Sequence, residues 1–95
     1  MALLGKLPII TNLTLTLADT EYSHALPNGT KKYTVQCRTD DVLKLSYTKE
    51  ESGSTYITIP EGASQSEDNL NTNVLVLYLQ SPTAGVIVEI TTWTT

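Results

Sequence analysis

The sequence predicts a single all-β domain, a β-sandwich or jelly roll of seven to eight short, mainly antiparallel strands. Three observations predict it. Apolar and polar residues alternate with a period of two in most segments, the spacing of a strand with one buried face. The chain carries sixteen threonines, and β-branched side chains suit a pleated surface. Turn-forming residues recur roughly every ten positions, as in sandwiches and barrels. Helical spacing of three and four is nowhere sustained.

Residues 1–8 are a candidate N-terminal arm, and residues 9–95 the sandwich domain. Leu3 and Leu4 in the arm have nothing local to bury them, which makes them candidate interface residues. The first strand is expected over residues 12–17, with Leu13, Leu15 and Leu17 on one face. A short second strand spans 21–26 and ends in Leu26-Pro27-Asn28-Gly29-Thr30. Proline pre-sets φ for a turn there, and Asn-Gly tolerates positive φ. The third strand, 32–38, sets Tyr33, Val35 and Cys37 against Lys32, Thr34, Gln36 and Arg38.

After the tight polar loop Thr39-Asp40-Asp41, a strand over 42–47 turns Leu43, Leu45 and Tyr47 to its apolar face. Lys49-Glu50-Glu51-Ser52-Gly53-Ser54 is the most polar loop. It leads to a strand over 55–59, closed by Pro60-Glu61-Gly62. Residues 63–71 are polar and hold a short edge strand or none. Residues 74–79 are apolar at every position. That predicts a strand buried on both faces, with a second layer or another subunit outside it. The last strand, 86–93, points Val86, Val88 and Ile90 one way and Ile87, Glu89, Thr91 and Trp93 the other. The five-residue loop between the last two strands predicts a hairpin.

Size and charge narrow the function. Ninety-five residues bury a thin core and leave no second lobe to form a cleft. Ten acidic residues against six basic ones, net −4, argue against nucleic acid, whose phosphates are met by Lys and Arg. Lys31-Lys32 is read as a solvated strand face. No run approaches the roughly 20 apolar residues of a membrane span. The single cysteine, Cys37, allows no internal disulfide and fits synthesis in a reducing cytoplasm. It is expected to be a buried, inert thiol. The first eight residues lack a charged leading segment and are not read as a secretory signal. The sequons at Asn12 and Asn28 are accordingly read as chance.

The sequence offers little for catalysis. His24 is the one imidazole, and its neighbour Ser23 would face the opposite side of a strand. A nucleophile needs its base within reach, so the pair does not form a catalytic unit. Structural zinc needs about four Cys or His ligands, and Cys37 and His24 are all the chain supplies. The pairs Asp40-Asp41, Glu50-Glu51 and Glu67-Asp68 lie in polar loops, where solvated charge is expected and a bound calcium ion is the alternative. No catalytic, cofactor-binding or metal-ligating residue is assigned. Tyr22, His24 and Trp93 join Leu3 and Leu4 as candidate interface residues, because half-polar rings anchor contacts between subunits.

The order of short signatures resembles that of small virion structural proteins of tailed bacteriophages and prophages. The resemblance runs from the leucine/threonine strand through Glu21-Tyr22-Ser23-His24-Ala25-Leu26-Pro27, Gly29-Thr30-Lys31-Lys32-Tyr33 and Gln36-Cys37-Arg38. It continues through Ile59-Pro60-Glu61-Gly62, Glu67-Asp68-Asn69-Leu70 and Leu77-Tyr78-Leu79-Gln80-Ser81, and ends on Ala84-Gly85-Val86-Ile87-Val88-Glu89-Ile90. These signatures cover most of the chain after Ile10. The resemblance implies a non-enzymatic head decoration or cement protein, made in the host cytoplasm and residing on the capsid surface. Its partners would be the major capsid protein and copies of itself, in an oligomer such as a trimer. The alternatives are a tail, baseplate or fibre-associated module and a carbohydrate-binding sandwich. The pattern marks scaffold, so it carries over no binding residues.

Overall fold

The computed structural model describes residues 7–70 and 75–94. Among them are eight strands: β1 (Ile9–Leu15), β2 (Tyr22–Ala25), β3 (Thr30–Cys37), β4 (Leu43–Ser46), β5 (Ile57–Ile59), β6 (Ser64–Glu67), β7 (Val76–Gln80) and β8 (Val86–Thr94). They form two antiparallel four-stranded sheets, ordered β1-β8-β3-β6 and β2-β7-β4-β5. The pairing is nested. β4 pairs with β5, β3 with β6, β2 with β7 and β1 with β8. A long two-stranded ribbon has thus been wound on itself, and β3–β8 and β4–β7 are the contacts between its turns. This winding is the eight-stranded jelly roll.

Each strand contributes alternate residues to the core, because successive side chains leave opposite faces of a pleated sheet. Leu15, Tyr33, Val35, Val86, Val88 and Ile90 come from the first sheet, and Leu43, Leu45, Ile59, Leu77 and Leu79 from the second. All are essentially inaccessible to solvent. β8 follows the predicted alternation closely, with Val86, Val88 and Ile90 buried and Ile87, Glu89 and Thr91 half-buried. The polar stretch after Gly62 does hold a strand: β6 is an edge of the first sheet.

Every pairing above leaves the chain crossing between sheets at most connections, and the turns are built for it. In Pro27-Asn28-Gly29-Thr30, the Thr30 amide donates to the Pro27 carbonyl at 3.3 Å and Gly29 has φ 80°. Pro60-Glu61-Gly62-Ala63 repeats the device, with Ala63 N to Pro60 O at 3.1 Å and Gly62 at φ 77°. A side chain at either glycine would be strained. Lys31 is the extra residue of a bulge in β3, since Thr30 pairs with Thr94 but Lys32 with Trp93. Its carbonyl accepts a hydrogen bond from the Leu70 amide instead, at 3.0 Å.

Several expectations need correction. β7 and β8 are not a hairpin: they lie in different sheets, and residues 81–85 carry the chain across the sandwich. Loop length alone does not distinguish a hairpin turn from such a crossing. Leu17 does not share the buried face of Leu13 and Leu15. β1 ends at Leu15, the chain turns at Asp19 with φ 52°, and Leu17 is exposed. Its amide instead donates to the Tyr22 hydroxyl at 2.9 Å. Tyr47 lies just past the end of β4 and is partly exposed. Cys37 is half-buried rather than buried, and its sulfur accepts from the Asp41 amide at 3.4 Å.

β7 also differs from expectation. Leu77 and Leu79 face the core, while Val76 and Tyr78 on the other side are only half-buried. The outer layer over the end of β7 is the chain's own polar loop. By register Ser46 and Gln80 point away from the core, yet both are buried. Residues 47–56 fold back over them. The Gln80 amide donates to Ser52 Oγ at 2.9 Å, and Ser52 is itself wholly buried. Val74 lies outside the described residues.

Candidate functional site

The covering loop makes the two outer faces unequal. It is held down by Glu21, just before β2. One carboxylate oxygen accepts from the Glu50 amide at 2.7 Å, the other from the Ser52 amide at 3.0 Å and the Ser52 hydroxyl at 2.5 Å. Burial pushes the Glu21 carboxyl up, but the hydrogen bonds from Ser52 and Glu50 outweigh it and hold its pKa below the usual value. One end of the second sheet's outer face, over Ser46 and Gln80, is therefore covered by the chain itself.

The outer face of the first sheet has no such cover among the described residues. Cross-strand pairs define it: Asn12–Glu89 and Thr14–Ile87 on β1 and β8, and Thr34–Thr91 and Gln36–Glu89 on β3 and β8. Thr34 and Gln36 continue to Ser66 and Ser64 on β6. The result is a broad surface of hydroxyl groups, with Thr34 Oγ1 and Ser66 Oγ 2.9 Å apart. At its centre Glu89 accepts from Gln36 Nε2 and from Arg38 Nε, both at 2.9 Å. These hydrogen bonds, that from Gln36 first, lower the pKa of the Glu89 carboxyl. At the far end Ile10, Lys32 and Trp93 share the same side, with the Lys32 ammonium 4.9 Å from the centre of the Trp93 ring.

The candidate interface residues are thus divided. Trp93 stands on this open face. Tyr22 and His24 lie on β2 of the other sheet and face inward, opposite Leu79 and Leu77. Burial lowers the His24 pKa below its ordinary value. Ser23 projects from the other side of β2, opposite Tyr78, so the adjacent Ser and His are on different faces. Leu3 and Leu4 fall outside the described residues. Ile10 and Lys32 also stand on the open face, and an isoleucine beside a strand start carries no local signal of its exposure in the sequence.

Two hollows meet at Tyr47. A groove of about 230 Å³ is lined by Leu45, Thr48, Thr55, Tyr56 and Ile57 among others, and Lys44 Nζ lies 5.0 Å from the centre of the Tyr56 ring. A cavity of about 370 Å³ is lined, among the described residues, by Tyr33, Tyr47, Glu67, Leu70 and Leu75. The Tyr33 and Tyr47 hydroxyls in its lining hydrogen-bond to each other. The acidic pairs are engaged locally: Thr39 donates to Asp41 at 2.9 Å, Ser54 to Glu51 at 2.7 Å and Gln65 to Glu67 at 3.1 Å.

Burial, then the contact with Tyr47, raises the Tyr33 pKa well above the ordinary tyrosine value. An acid whose folded pKa is raised stabilises the fold below its unfolded pKa, near 10, and that contribution is lost as pH rises further. Alkaline unfolding is therefore expected to set in above pH ~10. Tyr33→Phe should lower stability at pH 7 by about 1 kcal/mol but flatten the loss above pH ~10. Urea midpoints of both proteins across that range measure it; parallel curves would refute it.

No family model matches the chain, and no curated protein matches it. Among solved structures, it is similar to a de novo designed double-stranded β-helix determined by solution NMR. The two align with a TM-score of 0.57 at 16% identity, over 93% of this chain and 99% of the designed one. That likeness concerns the fold alone. It agrees with the nested strand pairing.

Proposed function

We propose that this chain is a non-enzymatic structural protein of a tailed-bacteriophage particle, a decoration or cement protein that binds the head surface as an oligomer. The observation that carries the reading is the inequality of the two faces. A jelly roll whose own loop covers part of one outer face, at Ser46 and Gln80, and that leaves the other hydroxyl-rich and rimmed by Ile10 and Trp93 offers that second face to a larger surface. The resemblance to small virion proteins supplies the kind of surface: a shell of major capsid protein. Such contacts need not be strong singly, since repetition by symmetry multiplies them into avidity.

The reading predicts that the purified chain cosediments with isolated heads lacking it and saturates at a fixed ratio to capsid protein. Thr34→Lys with Thr91→Lys, placing two charges in the middle of the open face, should abolish that binding. Wild-type protein that stays in the supernatant, or immunogold label confined to tails, would overturn it. One observation favours a second reading: Tyr47 and Tyr56 line the smaller groove and are both partly exposed, as sugar-stacking rings would be. Binding on a glycan array that Tyr56→Ala removes would favour it.

A further inference from the structure

We infer that β1 is an interaction edge that pairs antiparallel with β1 of a second copy, joining two first sheets into one continuous eight-stranded sheet. An unpaired sheet edge presents free N–H and C=O groups and recruits other strands unless it is short, charged or interrupted by proline. Three of the four edges here are blunted in those ways. β2 and β6 have four residues each, with Glu67 on β6. β5 has three and runs into Pro60.

β1 has none of these devices. It is seven residues long and, among the described residues, pairs with β8 on one side only. From Leu7 to Ala18 the sequence contains no charged residue, and no proline after Pro8. Leu7, Ile9 and Ile10 are 86%, 44% and 69% exposed. They are apolar surface with no cover among the described residues.

Charge and symmetry make a second copy of this chain the occupant. In an antiparallel pair of identical strands, residue i meets j and j meets i. A charged strand then risks meeting its own charge. β1 cannot, in any register. Centred on Asn12, Ile10 would meet Thr14 of the copy on the outer face, two β-branched side chains that suit a pleated surface. The nearest carboxylate, Glu89, stands one strand inward and is engaged by Arg38. Across the new junction the two Glu89 side chains would be about three strand spacings, roughly 14 Å, apart, beyond the screening length of about 8–10 Å.

This pairing is independent of the virion reading, because it needs only the chain itself. The test uses the full chain with Cys37→Ser and one cysteine introduced in turn: Ile10→Cys, Asn12→Cys or Thr14→Cys on β1, and Ser66→Cys on β6 as control. Native mass spectrometry of the unsubstituted chain should show an even-numbered oligomer. Under mild oxidation Asn12→Cys should form a covalent dimer at least ten times faster than Ser66→Cys. Asn12→Lys should halve the native mass while leaving the circular dichroism spectrum unchanged. A monomeric or purely trimeric unsubstituted chain, or equal crosslinking on β1 and β6, would overturn the pairing. Head binding, measured separately, would stand or fall on its own result.

Discussion

Leu79→Ala is expected to lower folding stability by about 2–5 kcal/mol. Leu79 is wholly inaccessible and central to the second sheet, paired with Tyr22 on one side and Leu45 on the other. Removing its isobutyl group deletes buried apolar surface and leaves a cavity that only partly collapses. A domain of this size has about 5–10 kcal/mol in total, so the variant should be partly unfolded near body temperature. Urea denaturation followed by tryptophan fluorescence measures the change. Loss of under 1 kcal/mol would mean that β7 is not the centre of the core.

Glu21→Ala is the second large effect. It removes the acceptor of three hydrogen bonds that tie residues 50 and 52 to the start of β2. Bonds to an ionised group contribute about 1.5–3 kcal/mol, and a loss in that range is expected. The loop should also lift from the second sheet, exposing Ser52 and Gln80. Hydrogen exchange should report it as lost protection at the Glu50 and Ser52 amides, with β3 and β8 little changed.

The same residue gives the chain an acid dependence. Its carboxyl has a folded pKa below its ordinary value. The stability it contributes is therefore present above that ordinary value, near 4.5, and is lost as pH falls through the folded one. The Glu21→Ala variant should show a shallower loss of stability below pH ~4.5 than the wild type. Equal slopes would assign the acid dependence to other groups.

Local periodicity carried most of the fold. Two-residue alternation identified the inward faces of β3 and β8, because burial on one side of a pleat repeats along the strand itself. It failed where the chain leaves the pleat. Leu17 continues the pattern in sequence, but the backbone has already turned, and Tyr47 follows the end of β4. The hairpin expected between β7 and β8 failed for a different reason: sheet membership depends on how the whole ribbon winds, which no single loop encodes.

The open face was legible only in part. Alternation placed Lys32, Thr34, Gln36, Glu89 and Trp93 on outward sides of their strands. That Glu89 meets Arg38 depends on pairing residues 51 apart in sequence. The staple from Glu21 to Ser52 spans 31 residues and lies in loops, where no periodicity operates. Without it, the apolar run of β7 suggested a partner subunit outside, whereas part of that cover comes from the chain's own polar loop.

The most direct measurement of the proposed virion role is a mass-spectrometric inventory of intact particles purified from an induced culture of the cells whose DNA encodes this sequence. This chain is expected in gradient-purified heads at a fixed ratio to the major capsid protein. Its absence from intact particles, with the chain present in the lysate, would rule out a decoration role.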